Sequence, residues 1–169
     1  MSVSAAAVVP QPITVGPEMA ALRRFCPDVT WTGTVEPGGM GPGTPAMTAT
    51  GHGRHETLQD GRWIAGTYEQ QHYLLDGTPV LTWQLHWVAG WDPVRRAYRA
   101  TMNDNYGHAD VMTGRIDGDR LVFTTGEDSP VPLRLTWLAD GDVLLWRNEA
   151  RTADGRWALI EEYRMTPVP

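Results

Sequence analysis

Glu161 is the residue in this chain best placed to do chemistry. It lies in Trp157–Met165, an alternating run that Asp154-Gly155 joins to a second such run, Val143–Arg151. If Asp154 and Gly155 form a two-residue hairpin loop, Trp146 faces Tyr163, Asn148 faces Glu161 and Arg147 faces Glu162. One side then carries Leu144, Trp146, Asn148, Trp157, Leu159, Glu161, Tyr163 and Met165. The other side holds Arg147, Glu149, Arg151, Glu162 and Arg164, with Val143, Leu145 and Ile160 among them. The charged side belongs in water and the aromatic side in the interior. A carboxyl in an apolar lining loses hydration, so its pKa rises toward the range useful for general acid–base work. The competing reading is an ordinary buried carboxyl satisfied by Asn148 or Tyr163. A slip of one residue would exchange the two sides, so the assignment rests on the loop length.

Asp104, Asn105, Tyr106, His108 and Asp110 form the densest run of hydrogen-bonding side chains. His108 shares parity with Met112 and Gly114 and is expected to point inward near a rim, where it and Asp104 would join Glu161 as catalytic candidates. A plain polar turn is the alternative. His52 and His55 are three apart, which on a strand places them on opposite sides, so they make no local metal pair and no metal site is expected. There is no Gly-x-Ser-x-Gly elbow, phosphate loop or dinucleotide fingerprint. The Gly- and Pro-rich 37–45 segment precedes no helix and reads as a loop.

These side chains need a scaffold of strands. The stretch Arg62–Pro93 reads as two long strands about Asp76-Gly77, with Thr67 opposite His86 and Glu69 opposite Gln84. One side is polar: Thr67, Glu69, Gln71, Thr82, Gln84 and His86. The other carries Tyr68, Gln70, His72, Leu74, Leu81, Trp83, Leu85 and Trp87. Trp87 is expected inward and His86 outward. Further strands are expected at Val29–Glu36, Ala46–Leu58, Ala97–Asp104, His108–Ile116, Arg120–Thr125 and Val131–Ala139. Asp60-Gly61, Asp117-Gly118 and Asp140-Gly141 mark further turns. Pro17–Phe25 is the one good helix candidate, with Pro17 and Glu18 suited to its start, Arg23 and Arg24 to its end, and Met19, Leu22 and Cys26 facing inward. Residues 1–16 read as a loose arm and 17–169 as one domain. About ten sequential antiparallel strands close most naturally into an up-and-down barrel, with a sandwich as the alternative.

Composition narrows the function. The 169 residues carry a net charge of −6, which argues against a nucleic-acid partner. All 14 basic residues are arginine, so no lysine is available for Schiff-base chemistry. One cysteine, Cys26, allows neither an internal disulfide nor a cysteine metal cluster and suits a reducing cytoplasm. The N-terminal segment lacks the basic start of a signal peptide, and no stretch has the length of a membrane-spanning helix, so no membrane partner is expected. Eight tryptophans against two phenylalanines favour an aromatic interior, either as packed core or as pocket wall.

The ordered motifs Trp31-Thr-Gly-Thr, GRWIAGTYE (Gly61–Glu69), AGWDP (Ala89–Pro93), Tyr98, Asp104, VMTGRIDGDRLVF (Val111–Phe123) and EEYRM (Glu161–Met165) resemble the DUF1579 family from about Pro17 to Pro167. The resemblance implies a lipocalin-like, calycin-like antiparallel barrel and no particular activity. The chain departs from the family pattern at Met102 and at Asn105-Tyr106, where tryptophan and Ser-Met are usual, which makes Met102 and Asn105 candidate ligand contacts. The nitrobindin-like haem barrels share the opening motif but need an axial histidine near the C-terminus. The last histidine here is His108, and no haem or other cofactor is expected.

The expected function is binding of a small apolar or aromatic metabolite in a barrel lumen walled by Trp83, Trp87, Trp146, Trp157 and Tyr163. Glu161, Asn148, Asp104 and His108 would orient its polar end. Such pockets are typically about 300–1,000 Å³. The residues lean toward a cofactor-free isomerase or cyclase of secondary metabolism with Glu161 as acid or base. A non-catalytic binding protein is the alternative. A weaker one is a homodimeric scaffold paired through Val143, Leu145 and Ile160.

Overall fold

The structure, a computed structural model, describes residues 14–126 and 128–168. Most of the expected arm, residues 1–13, lies outside the described residues. The ten strands are β1 (Val29–Val35), β2 (Met47–Leu58), β3 (Trp63–Leu74), β4 (Pro79–Asp92), β5 (Ala97–Asp104), β6 (Ala109–Asp117), β7 (Arg120–Thr125), β8 (Leu133–Asp140), β9 (Val143–Arg151) and β10 (Trp157–Pro167). Each pairs antiparallel with its sequence neighbours, and β10 returns to pair with β1, closing an up-and-down barrel. Closure removes both sheet edges.

Helix α1 (Pro17–Arg23) crosses one end of the barrel. Pro17 begins it at no hydrogen-bonding cost, because the first helical N–H groups have no intrahelical acceptor. Met19, Leu22 and Phe25 are buried beneath it, while Cys26 is half-buried. Polar ties seat it: Tyr98 Oη donates to the Glu18 carbonyl at 2.9 Å, Arg23 to the Gly61 carbonyl at 3.2 Å, and Arg24 to Asp119 at 3.1 Å. The opposite end is framed by hairpin loops and the 36–46 loop, whose Met40 packs against the core. Five exposed apolar side chains, Leu75, Val80, Tyr106, Val111 and Val131, lie on the loops and strand ends there. Among the described residues no helix is long and apolar enough to cross a membrane.

Two hairpins correct the expected loop lengths. At Asp76-Gly77 the closing bonds run from Leu74 N to the Thr78 carbonyl (2.8 Å) and from Gly77 N to the Leu74 carbonyl (2.9 Å). At Asp154-Gly155 the corresponding bonds join Thr152 with Arg156 (2.8 Å) and Gly155 with Thr152 (2.9 Å). Both are therefore three-residue loops, with the glycine at φ +88° and +83° supplying the left-handed residue such loops need. A bulge then absorbs the added residue, at Val80 in β4 and Ile160 in β10. Beyond each bulge the pairing is the expected one: Thr67 with His86, Glu69 with Gln84, Trp146 with Tyr163, Asn148 with Glu161. Between turn and bulge the sides are exchanged. Trp157 consequently pairs with Arg151 and lies on the outer wall, with the Arg134 guanidinium 4.7 Å from its ring centre. The expectation that Trp157 and Leu159 line the interior is corrected by that one displaced residue. At Asp117-Gly118 and Asp140-Gly141 the loops are Gly118-Asp119 and Gly141-Asp142, one residue later than expected.

Candidate functional site

Inward-facing positions of six strands bring six aromatic rings into a closed belt around the lumen. Trp31 (β1) lies 6.3 Å from Tyr163 (β10) at an interplanar angle of 30°. Tyr163 stacks on Trp146 (β9) at 5.0 Å and 7°, and Trp146 meets Trp137 (β8) at 6.1 Å and 63°. Trp137 is near-parallel to Trp87 (β4) at 5.9 Å and 16°, and Trp87 to Tyr68 (β3) at 6.4 Å and 26°. Tyr68 then meets Trp31 edge-on at 5.6 Å, completing the circuit. All six line a central cavity of about 30 Å³, with Met102, Met112 and Met165 among the remaining wall residues. That volume is room for about two waters. It corrects the expected pocket volume, because the indoles and phenols fill most of the lumen themselves.

The belt needs glycines opposite its rings. A Cβ at Gly66 would overlap the Trp87 indole, and one at Gly51 would overlap Trp31.

A buried polar chain is attached to one side of the belt. Trp31 Nε1 donates to Gln70 Oε1 at 2.8 Å, which fixes the orientation of the Gln70 amide. Gln70 Nε2 is then directed at the Tyr163 hydroxyl (2.7 Å) and at His72 Nε2 (3.0 Å). The Tyr163 hydroxyl donates to Glu161 Oε2, and Asn148 Nδ2 donates to Glu161 Oε1 at 3.1 Å. Gln70, His72, Glu161 and Tyr163 are all buried. Because His72 Nε2 accepts from an amide N–H, the imidazole proton sits on Nδ1, which has no partner among the described residues. Asn148 Oδ1 and Trp146 Nε1 are likewise unpaired there.

Burial governs the titration of these groups. Desolvation raises the Glu161 carboxyl above its ordinary range, against the opposing effect of the bonds from Tyr163, Asn148 and Gln70. It also lowers His72, which stays neutral, and raises the Tyr163 phenol, an effect that the adjacent Glu161 charge reinforces. Glu161 does not itself reach the cavity wall; Tyr163 and Gln70 do.

His55 ties the lumen to the helix end. Its Nδ1 donates to the Pro27 carbonyl and its Nε2 accepts from the Tyr68 hydroxyl, both at 2.8 Å. Burial lowers its pKa, against the pull of the Pro27 carbonyl and the Asp28 charge. Burial also pushes the Cys26 thiol up to about 12.

Asp104 and His108 form a separate cluster at the loop end. Asp104 Oδ1 accepts from the backbone N–H of Tyr106 and His108, both at 2.9 Å. Its Oδ2 meets His108 Nδ1 at 2.9 Å and accepts from Trp83 Nε1 at 3.1 Å. Partial burial works against the Asp104 charge, but these bonds outweigh it and hold the carboxyl below its usual range. Asn105 docks the loop on β4, accepting from Gln84 N at 2.9 Å and donating to the Thr82 carbonyl at 3.2 Å. The His108 side chain is 77% exposed, which corrects the expected inward orientation. Gly107, at φ +88°, turns the chain, and Asp104 holds the imidazole over the turn. Asp104 and His108 bond to each other, and among the described residues neither bonds to Glu161, whose carboxyl is held by Tyr163 and Asn148. Trp83 and Met102 do line the cavity at the end nearest this loop.

His86 points outward, as expected. With His52, Thr67, Glu69 and Gln84 it borders a polar cleft of about 210 Å³ on the outer wall. Among the described residues no three His, Cys, Asp or Glu side chains gather to hold a metal ion. Five residues of the belt and its polar chain were not singled out from the sequence. Trp31 and Trp137 carry the inward parity of their strands, and Tyr68, Gln70 and His72 lie on the inner side of the β3–β4 hairpin. That parity was the available signal.

The chain belongs to the DUF1579 family of proteins of unknown function, whose profile matches residues 20–160. No curated protein matches it. Among solved structures it is similar to Rv2717c from M. tuberculosis, at 14% identity and a TM-score of 0.61, over 92% of this chain and 100% of that one. That likeness shows the fold alone.

Proposed function

We propose that this member of the DUF1579 family binds a small, largely apolar or aromatic molecule in the lumen of its barrel. The observation that carries this reading is the closed belt of six aromatic rings around a cavity, with a buried hydrogen-bonded chain along one side of it. A barrel packed only for stability has no need of unpaired buried polar groups, each of which costs about 1–3 kcal/mol when left unsatisfied. Trp87 Nε1, Trp146 Nε1, His72 Nδ1 and Asn148 Oδ1 are four such groups among the described residues. An occupant larger than the 30 Å³ cavity enters by displacing Met102, Met112 or Met165, whose flexible thioethers repack at low cost.

Glu161 favours a second reading, cofactor-free acid–base turnover of the bound molecule by isomerisation or cyclisation. Its carboxyl has a raised pKa and is linked to the cavity through the Tyr163 hydroxyl. Glu161→Gln separates the two readings. Under turnover, the variant still binds the molecule but no longer converts it. Under simple binding, neither protein converts it and affinity changes little. Loss of binding in Ala100→Phe, which places a ring at a cavity-lining position, would locate the occupant in the lumen. Unchanged binding in that variant would overturn the lumen reading.

A further inference from the structure

The cavity wall narrows the class of its occupant, an inference that rests on the lumen-binding reading above. Several polar side chains take part in that wall, yet its surface is entirely apolar. Their polar atoms are turned away and committed elsewhere. Trp31 Nε1 donates to Gln70, the Gln70 amide to Tyr163 and His72, and the Tyr163 hydroxyl to Glu161. The Tyr68 hydroxyl donates to His55, and Trp83 Nε1 to Asp104. The indole N–H groups of Trp87 and Trp146 have no acceptor among the described residues, but neither reaches the cavity surface. The buried polar chain therefore runs behind the wall and shows the lumen only apolar atoms.

Such a cavity is dry. Its volume of about 30 Å³ has room for about two waters, but an internal water needs about two to four polar partners and this wall offers none. A guest therefore meets no hydrogen-bonding group in the lumen. Any polar atom it carries gives up hydration on entry and gains no bond in exchange. An apolar guest has no such loss, and it gains the dispersion contacts that an empty cavity forgoes.

We infer that the lumen selects a hydrocarbon, an aliphatic or aromatic ring with no hydrogen-bonding atom. This sides with binding over turnover, because such a guest offers neither a lone pair nor an acidic proton to the Glu161 carboxyl behind Tyr163.

Cyclopentane and tetrahydrofuran, matched in ring size and differing by one ether oxygen, test this on the full-length chain carrying ¹³C at its methionine methyl groups. Cyclopentane should shift the signals of Met102, Met112 and Met165, which line the cavity, and should do so saturably. Tetrahydrofuran should bind about 5- to 150-fold more weakly, the cost of burying one acceptor unpaired. In Ala100→Phe, which fills the cavity, the cyclopentane response should vanish. The two probes compared on the unmodified protein keep the test valid if that variant does not fold. Equal or tighter binding of tetrahydrofuran would overturn the hydrocarbon inference and leave the lumen reading standing. No saturable response to either probe, or an unchanged cyclopentane response in folded Ala100→Phe, would remove it together with the lumen reading.

Discussion

Removing the Tyr163 hydroxyl is the sharpest perturbation of the buried chain. Tyr163→Phe preserves the ring and its 5.0 Å stack on Trp146, so the belt should survive. What is lost is one acceptor for Gln70 Nε2, at 2.7 Å, and one donor to Glu161 Oε2. Tyr163 is 2% exposed, so water does not replace either partner. Each group left unsatisfied costs about 1–3 kcal/mol, offset in part because the hydroxyl no longer has to be buried. A net loss of about 2–4 kcal/mol is expected, or a fall in Tm of roughly 4–16 °C for a chain of this length. Urea unfolding followed by tryptophan emission measures it. A double-mutant cycle with Gln70→Leu should give a coupling energy above about 0.5 kcal/mol, since the two side chains share a bond. A loss below about 0.5 kcal/mol, or strict additivity in the cycle, would refute the claim that this chain acts as a cooperative unit.

Further outcomes follow from the same geometry. His55 and His72 are held neutral by burial, so the unfolded chain takes up protons below about pH 6.5 that the folded one resists; stability should therefore fall as pH drops through 6.5, by up to about 1.4 kcal/mol per unit for each, as measured by denaturation across pH. Glu161 has the opposite sign: burial raises its carboxyl above the ordinary carboxylate range in the folded state, which therefore holds a proton the unfolded one releases, and stability should decline as pH rises above that ordinary range. Glu161→Gln should abolish that decline. Gly66→Ala should cost about 1–3 kcal/mol by forcing the Trp87 indole from the belt, visible as a changed near-ultraviolet circular dichroism. Cys26 should resist thiol reagents at pH 8 in the folded protein and react on unfolding, because burial holds its pKa near 12.

Much of the barrel was legible because hairpin signals and two-residue alternation act locally. Asp-Gly marks a turn reliably since its glycine accepts positive φ, but the dipeptide does not fix the loop length. Both three-residue loops here carry a compensating bulge, so the strand bodies keep the register read from a shorter loop. Only residues between turn and bulge, Trp157 and Leu159, change sides. Glu161 with Asn148 was legible for that reason. His108 was misplaced because strand parity does not extend into a turn that Asp104 reorganises through its own hydrogen bonds. Gln70 and His72 stood on the right side of their strand, yet a polar residue's partners come from β1 and β10, far away in sequence, and no local pattern announces them.

The most direct measurement is tryptophan emission of the purified protein against a panel of small apolar and aromatic compounds, paired with Ala100→Phe. Five tryptophans line the cavity, so an occupant should shift or quench emission saturably at one site, and the variant should lose the response while remaining folded. A flat response across the panel, or an identical response in Ala100→Phe, would contradict lumen binding and leave the aromatic belt as a packed core.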